Sequence, residues 1–431
     1  MNSIWTDTVK LSEFSTLEGN IKTDVLIIGG GLSGILTAYM LKRKGIDCIL
    51  VEKDRVCRGT TGNTTAKITY QHGLIYSKLS KSHGTKTAAL YLKANKAAFD
   101  KYAALCKDID CDYEIKDNFV YSLSNRAILE AELNALEKIG YKAEFCQETS
   151  LPFRIAGAVM FPGQAQFNPL KFVSEIISEL NIYENTFVRE MKGNIAVTDK
   201  GEIHADKVIV TTHFPFINKH GFYFLKLYQH RSYAISLENA QNVGGMYVDE
   251  SKTGYSFRNY GNKLILGGGS HRTGKKGGCW QELRSFVEKH YPEAEETACW
   301  ATQDCMSLDG MPYIGRYSSR TNDLYVSSGF NKWGMTGAML SAMILSDTVI
   351  GRKNEFAEIF DPSRSIMTPQ LAVNCFEAIK GILTPTIRRC PHLGCALKWN
   401  SAEHSWDCSC HGSRFNGNGR VIDNPANGDM N

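Results

Sequence analysis

The sequence predicts an α/β protein with a Rossmann-type domain, a second α+β domain built on an antiparallel sheet, and a small all-β unit at its C-terminus. Residues 24–53 have the pattern of strand, glycine-rich turn, helix and strand. Residues 231–270 alternate in polarity and contain a turn signal at 259–262, which is typical of antiparallel strands. Residues 390–411 concentrate cysteine and histidine in two short loops, which indicates a separate small unit.

The pattern along the chain places the remaining elements. It predicts amphipathic helices over 86–110, 127–138 and 170–180, buried strands at 207–212 and 324–328, an apolar helix that ends near residue 350, and a less regular stretch over 351–385 with some helix. Asn168 and Pro169 form a good cap and first turn for the third helix.

Composition sets the size of the protein and excludes some functions. The chain has 431 residues, 43% of them hydrophobic, and a single core rarely grows this large. Its 49 basic and 45 acidic residues leave a net charge of +4, too small an excess to predict a nucleic-acid partner. No run of 18 apolar residues occurs, and residues 1–20 lack an apolar signal core. We therefore predict a cytoplasmic protein without a membrane span.

The N-terminal glycine-rich turn predicts a dinucleotide site. Gly29, Gly31 and Gly34 have G-x-G-x-x-G spacing between an apolar strand and a helix, and the second strand ends at Glu52. Gly29 permits the tight turn, Gly31 lets the backbone approach a pyrophosphate at the helix N-terminus, and Gly34 lets the helix pack on the strand. Glu52 is placed to accept hydrogen bonds from ribose hydroxyls. The alternative is a strand–helix–strand unit without a ligand, and the agreement of all four elements argues against it.

A second glycine-rich loop favours FAD as the dinucleotide. Gly329, Gly334 and Gly337 lie between a buried strand and an apolar helix. Such a loop brings backbone N–H groups and a helix N-terminus to the pyrimidine edge of a flavin, where negative charge develops on reduction. The chain has no second G-x-G-x-x-G motif, so a separate NAD(P)H site is not predicted.

The C-terminal cysteines and histidines predict a metal or cluster site. Cys390-x-His392 and Cys408-x-x-His411 each supply one cysteine and one histidine from a short loop, and each loop holds one further cysteine. A Rieske [2Fe–2S] centre uses two cysteines on one iron and two histidines on the other. Zinc also accepts two cysteines and two histidines, but with C-x(2–4)-C and H-x(3–5)-H spacing. The spacing therefore favours a Rieske centre.

Several longer motifs lie in a fixed order along the chain: DVLIIGGGLSGILTAY (24–39), GTTGNTTAKITYQHG (59–73), GAVMFPGQAQFNPL (157–170), VIVTTHFPF (208–216), WATQDCMSLDGMPYIG (300–315) and SGFNKWGMTGAM (328–339). On these motifs the sequence resembles the FAD-dependent oxidoreductases of the D-amino-acid oxidase and glycine oxidase superfamily. More narrowly, it resembles the bacterial subgroup with a C-terminal Rieske domain. The resemblance covers about residues 1–362 and 390–426.

The glycine fingerprint and the resemblance together imply the residues that bind FAD. These are Gly29, Gly31, Leu32, Ser33, Gly34, Glu52, Lys53, Thr60, Thr61, Thr65, Ala66, Lys67, Val188, Thr211, Thr212, Gly315, Gly329, Phe330, Lys332, Trp333, Gly334, Met335 and Thr336. Some superfamily members link flavin to a cysteine before the C-terminal aspartate. Cys305 lies only four residues before Asp309, which does not match that spacing, so we expect non-covalent FAD.

The resemblance also implies the chemistry on the substrate side. In this superfamily the flavin accepts a hydride from the carbon next to an amine nitrogen, and an arginine holds a substrate carboxylate. The candidate residues are Lys67 near the reactive ring, Arg231, Arg258 or Arg272 for the carboxylate, Tyr233 and Tyr255 nearby, and His271 where related amine oxidases place an active-site histidine.

The predicted Rieske unit departs from the family pattern. Ser409 replaces the usual proline of the second loop, and too little chain surrounds the two loops for the base sheet of a complete domain. In the high-potential Rieske type, cysteines at the positions of Cys395 and Cys410 form a disulfide; the sequence leaves open whether they do so here. A unit this small does not bury a core by itself, so it docks on the flavin domain, is held by its metal, or is loose.

The predicted domains follow from these assignments. The FAD-binding domain comprises residues 1–85, 145–228 and 300–362, and the substrate domain comprises residues 86–144 and 229–299. Residues 363–385 form a linker, and residues 386–431 form the truncated Rieske-type subdomain.

The predicted function is oxidation of a small amine or amino acid by hydride transfer to FAD, with electrons leaving through the Rieske centre to an unknown acceptor. Two alternatives remain at this stage. The FAD enzyme uses O₂ and the C-terminal unit senses redox state or iron, or that unit is a structural cap.

Overall fold

The computed structural model describes residues 2–251 and 254–430. The helices in these ranges are α1 (Leu32–Lys42), α2 (Ile75–His83), α3 (Thr85–Leu105), α4 (Arg126–Lys138), α5 (Pro169–Ile177), α6 (Tyr223–Lys226), α7 (Cys279–His290), α8 (Gly334–Val349), α9 (Ala357–Phe360) and α10 (Pro369–Leu383), with a 3₁₀ turn at Thr60–Asn63. Among these residues, no helix is both long and apolar enough to cross a bilayer.

The strands of the same ranges are β1 (Ile21–Ile28), β2 (Cys48–Val51), β3 (Lys67–Ile68), β4 (Glu114–Ser122), β5 (Glu144–Cys146), β6 (Gly157–Gln166), β7 (Ile182–Tyr183), β8 (Val188–Lys192), β9 (Ile195–Thr198), β10 (Glu202–Val210), β11 (Leu227–Glu238), β12 (Met246–Asp249), β13 (Ser256–Tyr260), β14 (Lys263–Arg272), β15 (Glu295–Ser307), β16 (Tyr313–Arg316), β17 (Leu324–Ser328), β18 (Leu397–Asn400), β19 (Ser405–Cys408), β20 (Arg414–Asn416) and β21 (Val421–Asp423).

The predicted Rossmann unit is present as an eight-stranded sheet. Six strands follow the order β16-β17-β10-β1-β2-β7; β9 also pairs with β10, and β8 pairs with β9. β1 lies parallel between β10 and β2, and Ile28 is level with both Val210 and Val51. Because the three strands end at one edge, the loops that follow them converge there, as in other open parallel sheets that bind ligands. This edge carries the glycine-rich turn.

The second sheet has nine strands in the order β15-β11-β14-β13-β12-β4-β6-β3, with β5 beside β6. The predicted turn joins β13 to β14, and Gly261 there has a φ of +56°. The strands of 231–270 do not form a simple meander, because β11 pairs with β14 and β15 instead of β12. Nearly every side chain of β11 is buried, which is typical of a strand covered on both faces.

Several elements do not follow the predicted domain division, among them α3, β3, β6 and most of β15. α3 falls in the range given to the substrate domain, but it packs on α8 of the FAD-binding domain, and the Tyr102 hydroxyl donates to the Met335 carbonyl at 2.9 Å. β6 falls in the range given to the FAD domain but belongs to the nine-stranded sheet. Apolar burial on both sides of these elements overrides their position along the chain.

The C-terminal unit is an antiparallel sheet of four short strands, β18-β19-β20-β21. In the described part of 386–430 this is the only sheet, as expected for a unit without base strands. Its buried apolar cluster is small: Cys390, Cys395, Leu397, Cys408, Cys410, Phe415 and Ala426. The predicted linker is largely helical, because α10 occupies Pro369–Leu383 with Thr368 as its cap. The unit is neither loose nor free-standing, since it docks on the flavin domain through contacts described below.

Candidate active site and cluster-binding loops

One large cavity lies where the two large sheets and the C-terminal unit meet. Its volume is about 1190 Å³. Pockets for small ligands usually span ~300–1,000 Å³, so this cavity has room for a dinucleotide and a substrate. Residues of all three parts of the protein line it, including Gly31 of the first turn, Tyr233 of β11 and Glu403 of the C-terminal unit.

The glycine-rich turn forms one end of the cavity. Gly29 has a φ of +117°, a conformation that side chains other than glycine rarely adopt. A Cβ on Gly34 would collide with the Gly29 carbonyl, so glycine is required for the helix to start this close to the strand. Gly31, Leu32 and Ser33 line the cavity at the N-terminus of α1, where the helix dipole favours an anion. This end fits the pyrophosphate of FAD.

Glu52 lies at the end of β2 and also lines the cavity. Its carboxylate accepts hydrogen bonds from the backbone N–H of Gly30 at 2.7 Å and of Asp54 at 3.0 Å. Burial raises the pKa of Glu52, while those two N–H groups act in the opposite direction. A carboxylate held rigidly in this way is positioned to accept from ribose hydroxyls.

Lys67 and the loop before α8 form the other end of the cavity. Lys67 is buried in β3, and burial, helped by nearby Arg258, lowers the pKa of its amine to about 7. The ring of His72 stacks on Trp333 at 4.9 Å between centroids, and both line the cavity. Asn331 and Lys332 both have positive φ, which turns the chain sharply before α8. This loop lines the cavity from Phe330 to Met335.

Most residues of the predicted FAD set line this one cavity. These are Gly29, Gly31, Leu32, Ser33, Glu52, Lys53, Thr60, Thr61, Thr65, Lys67, Val188, Thr211, Thr212, Phe330, Lys332, Trp333, Gly334 and Met335. Gly34, Ala66, Gly315, Gly329 and Thr336 lie behind it. Thr336, for example, turns its hydroxyl to the Thr69 carbonyl at 2.7 Å. Cys305 lines the cavity, and burial raises the pKa of its thiol to about 12, which leaves it a poor nucleophile.

Four of the seven substrate-side candidates do not line the cavity. Arg258 is fully buried, donates to the Ala66 carbonyl at 2.7 Å and lies over the Trp5 ring. Tyr255 packs on Phe286.

His271 and Arg272 are turned away from the cavity as well. His271 stacks on Tyr233. Arg272 donates to the carbonyls of Ser409 at 3.0 Å and Cys410 at 3.2 Å, so it holds the second cysteine-containing loop and not a substrate. The three candidates that line the cavity are Lys67, Arg231 and Tyr233.

A charged cluster walls the cavity on the substrate side. Arg231 and Glu403 are paired, with Nε and Oε1 at 2.9 Å, and the Tyr233 hydroxyl donates to the same oxygen at 2.8 Å. Arg414 donates to the other Glu403 oxygen at 2.8 Å. Burial alone would raise the pKa of Glu403, but Arg231 and Arg414 hold it below its usual range. The arginine best placed for a substrate carboxylate is thus already paired with the C-terminal unit.

The two C-terminal loops bring the predicted ligands together. Cys390 and Cys408 lie in one buried cluster, and the rings of His392 and His411 lie 4.9 Å apart between centroids. The sulfurs of Cys408, Cys395 and Cys410 all lie within 4.8 Å of one another. Hydrogen bonds from Cys390 and the two other thiols lower the pKa of Cys408, and the thiolate is the form that binds metal.

The histidines fit a metal through an unused ring nitrogen. The Nδ1 atoms of His392 and His411 are buried and have no hydrogen-bond partner. On the other side of the ring, Nε2 of His392 lies 3.1 Å from Asn218 Oδ1. Burial lowers the pKa of both histidines, to about 3 for His392, so both are in the neutral form that ligates metals. An unpaired buried nitrogen is costly unless a metal or another partner occupies it.

Two glutamines join the cluster loops to the cavity. Gln229 Nε2 donates to the His411 carbonyl at 2.7 Å, and Gln303 Nε2 donates to the Gly412 carbonyl at 2.9 Å. Gln303 also donates to Gln229 Oε1 at 2.6 Å and lines the cavity itself. The cluster loops and the cavity therefore share one residue as a wall.

The C-terminal segment 422–427 also lines the cavity. Asn424 Nδ2 donates to the carbonyls of Thr212 and Phe214, both at 2.6 Å, and Lys53 Nζ donates to the Ile422 carbonyl at 2.8 Å. Sequence reasoning missed Gln229, Gln303, Glu403 and Asn424, since amides and lone carboxylates outside a motif carry no signal of an interdomain contact.

The fold and the site define a flavin-dependent oxidoreductase with a second, iron–sulfur domain. The FAD dependent oxidoreductase (DAO) family matches residues 24–348, and the Rieske [2Fe-2S] domain family matches residues 349–431. The chain belongs to the DAO family of FAD-dependent oxidoreductases and carries a C-terminal Rieske domain.

Relatives share this architecture in whole or in part. The Rieske 2Fe-2S iron-sulfur protein YhfW of Bacillus subtilis (strain 168) is 30% identical over 485 residues, covering 98% of this chain and 95% of its own. Gamma-glutamylputrescine oxidoreductase of Escherichia coli (strain K12) is 26% identical over 220 residues, 47% of this chain and 51% of its own. Among solved structures, glycine oxidase from Geobacillus kaustophilus has a TM-score of 0.68 at 19% identity, covering 80% of this chain and 99% of its own.

Replacing Glu52 tests its role at the FAD ribose. We expect Glu52→Gln to weaken FAD binding roughly ten- to hundredfold, because a charge-assisted hydrogen bond of ~1.5–3 kcal/mol is lost. The measurement is the FAD dissociation constant of the reconstituted apoprotein. Glu18→Gln, at an exposed ion pair with Lys200, is the matched control and should leave the constant unchanged. Equal constants for both variants would show that Glu52 does not hold the ribose.

Proposed function

We propose that the protein oxidises a small amine or amino acid, and that the electrons leave through the Rieske centre. Bound FAD would supply the hydride acceptor, and the Rieske cluster would supply one-electron transfer. The observation that carries this proposal is Gln303, which lines the cavity and also hydrogen-bonds the loop that holds His411. The two predicted cofactor sites are thus separated by a single shared residue, and a short separation favours electron transfer within one chain.

The cavity residues have clear tasks in such a reaction. Lys67, with its lowered pKa, accepts a proton from a substrate ammonium and leaves the neutral amine, which loses hydride readily. Buried aromatic side chains, Trp280 and Trp300, line the substrate end and exclude water. The backbone N–H groups at the start of α8 would stabilise the negative charge that collects on the pyrimidine edge of a bound flavin.

The substrate class is supported by the protein's relatives and by its charges. Gamma-glutamylputrescine oxidoreductase is named for an amine. Because Arg231 is already neutralised by Glu403, a substrate carboxylate would have to displace that carboxylate. The paired arginine thus favours an amine without a carboxylate next to the reacting carbon.

An anaerobic screen tests the proposed function. We expect a primary or secondary amine to bleach the flavin absorbance of the holoprotein without O₂, and the electron paramagnetic resonance signal of a reduced Rieske centre to appear in the same sample. Bleaching by a hydroxy acid, with no response to any amine, would contradict the substrate class. Bleaching without the cluster signal would contradict the electron route and leave the substrate class standing.

A further inference from the structure

α10 buries its polar side and exposes its apolar side, the reverse of an ordinary surface helix. Its two fully buried residues are Asn374 and Gly381, one polar and one without a side chain. Asn374 accepts from Arg272, and Glu377 pairs with Lys275, so the polar side of the helix faces the protein. A Cβ on Gly381 would collide with the Cys410 sulfur, so the helix rests directly on the cluster loops.

The opposite side of the helix is apolar and exposed. The large exposed apolar side chains of the helix and of the residues that flank it are, with their exposed fractions, Met367 (82%), Val373 (48%), Phe376 (63%), Ile379 (57%), Ile382 (50%), Leu383 (74%) and Ile387 (97%). Positions 373, 376, 379 and 383 follow a helical repeat, so they form one stripe. Leu393 of the first cluster loop extends it, because Arg389 Nη1 donates to the carbonyls of both Ile382 and Gly394. We call this surface, residues 367–393, the α10 stripe. A contiguous apolar surface of this kind marks an interaction site.

The charges beside the α10 stripe identify the partner. Between residues 366 and 398 the sequence has four basic residues, Lys380, Arg388, Arg389 and Lys398, and one acidic residue, Glu377. Glu377 is turned inward and paired, whereas all four basic side chains belong to exposed residues. The stripe therefore presents aliphatic and phenyl groups flanked by positive charge. This combination is that of a helix lying in the surface of an anionic membrane.

The composition and length of the segment suit a position in the membrane surface. The exposed apolar side chains are Met, Val, Ile, Leu and one Phe, and Leu and Phe are typical of the apolar face of interfacial helices. α10 has 15 residues, fewer than the ~20 needed to span a bilayer, so it is suited to lie along the surface.

We propose that the α10 stripe docks the protein on the surface of an anionic lipid bilayer and places the cluster loops next to the lipid headgroups. The proposal does not depend on the substrate or the electron route. It makes the protein peripheral to a membrane, with the Rieske domain on the membrane side and α10 partly inserted.

Sedimentation with lipid vesicles tests the proposal. The probes are vesicles of phosphatidylcholine alone and of phosphatidylcholine with about one-third phosphatidylglycerol, mixed with the full-length holoprotein. We expect binding to the anionic vesicles that weakens as salt is added, and little binding to the neutral ones. Phe376→Glu and Ile379→Glu should each lower the partition coefficient at least about tenfold, because a charge replaces an apolar side chain that inserts into the bilayer. Lys380→Glu should weaken binding at low salt.

Controls separate lipid from other partners. Leu123→Glu changes a similarly exposed apolar residue, 54% exposed and remote along the chain, and should leave vesicle binding unchanged. Flavin absorbance and light scattering establish that each variant is folded and of known mass. The proposal fails if folded wild-type protein does not bind anionic vesicles, or if Phe376→Glu binds as well as wild type. It also fails if wild type is a dimer that Phe376→Glu makes monomeric, since the stripe is then an interface between copies.

Discussion

Cys408→Ser is expected to abolish the iron–sulfur centre and to leave substrate oxidation by flavin in place. Cys408 has the lowered thiol pKa among the clustered cysteines and contacts each of the other three, so it is central to the site. In protein prepared anaerobically with iron supplied and FAD in excess, the wild type should give the Rieske electron paramagnetic resonance signal and the variant none. Turnover with a one-electron acceptor should fall at least about a hundredfold, while amine-driven bleaching of the flavin persists.

The matched control for this change is Cys375→Ser. Cys375 is a half-buried cysteine of α10 outside the thiol cluster, so its variant should keep iron, signal and turnover. If Cys408→Ser loses iron but turns over at the wild-type rate, the electron route through the cluster is wrong, and the domain acts as a sensor or a cap. If wild-type protein never holds iron, the loops bind no cluster.

Lys67→Met is expected to slow flavin reduction by amine about 10²–10⁴-fold, the usual contribution of a general base. Burial lowers the pKa of Lys67 to about 7, so the amine becomes neutral and able to accept a proton as pH rises through 7. The wild-type rate constant for flavin reduction should therefore rise with pH through about 7 and level off above it. The variant should lack this step. Anaerobic stopped-flow absorbance at several pH values provides the measurement.

The lowered pKa of Lys67 also leads to an expected pH dependence of the free energy of unfolding. An unfolded lysine has a pKa of about 10.5, so between pH 7 and 10.5 the unfolded chain binds more protons at this position, and the free energy of unfolding rises with pH. Lys67→Met should remove this slope. Lys96→Met, an exposed lysine paired with Asp100, is the control and should change neither the slope nor the rate. A wild-type pH profile in Lys67→Met would exclude Lys67 as the base.

The sequence predicted the parts of the fold that depend on local pattern. β17 has the predicted bounds, and α4 and α5 begin within one residue of them, because caps and apolar periodicity are local signals. The place of β6 and of β11 was not predictable in this way. Both strands are held by pairing with strands distant in the chain. The residues of a strand do not by themselves determine which strands it pairs with.

The same distinction between local signals and long-range contacts applies to the candidate site. The FAD set was predicted from the glycine spacing and the family resemblance, and the cysteine and histidine pairs from spacing within short motifs; most of the FAD set lines one cavity, and the two cluster loops lie together. The residues proposed for substrate binding rested on residue type and on the family resemblance. Arg272 is the clearest case, because nothing near it in sequence reveals that Ser409 and Cys410 lie against it. Contacts between domains decide such roles, and they require the folded structure.

The loop over 422–427 has a consequence for how the protein is made. Asn424 and Ile422 lie over the cavity beside Thr212 and Lys53, so the docked Rieske domain blocks that approach to the site. FAD that enters from that side therefore has to load while the Rieske domain is undocked.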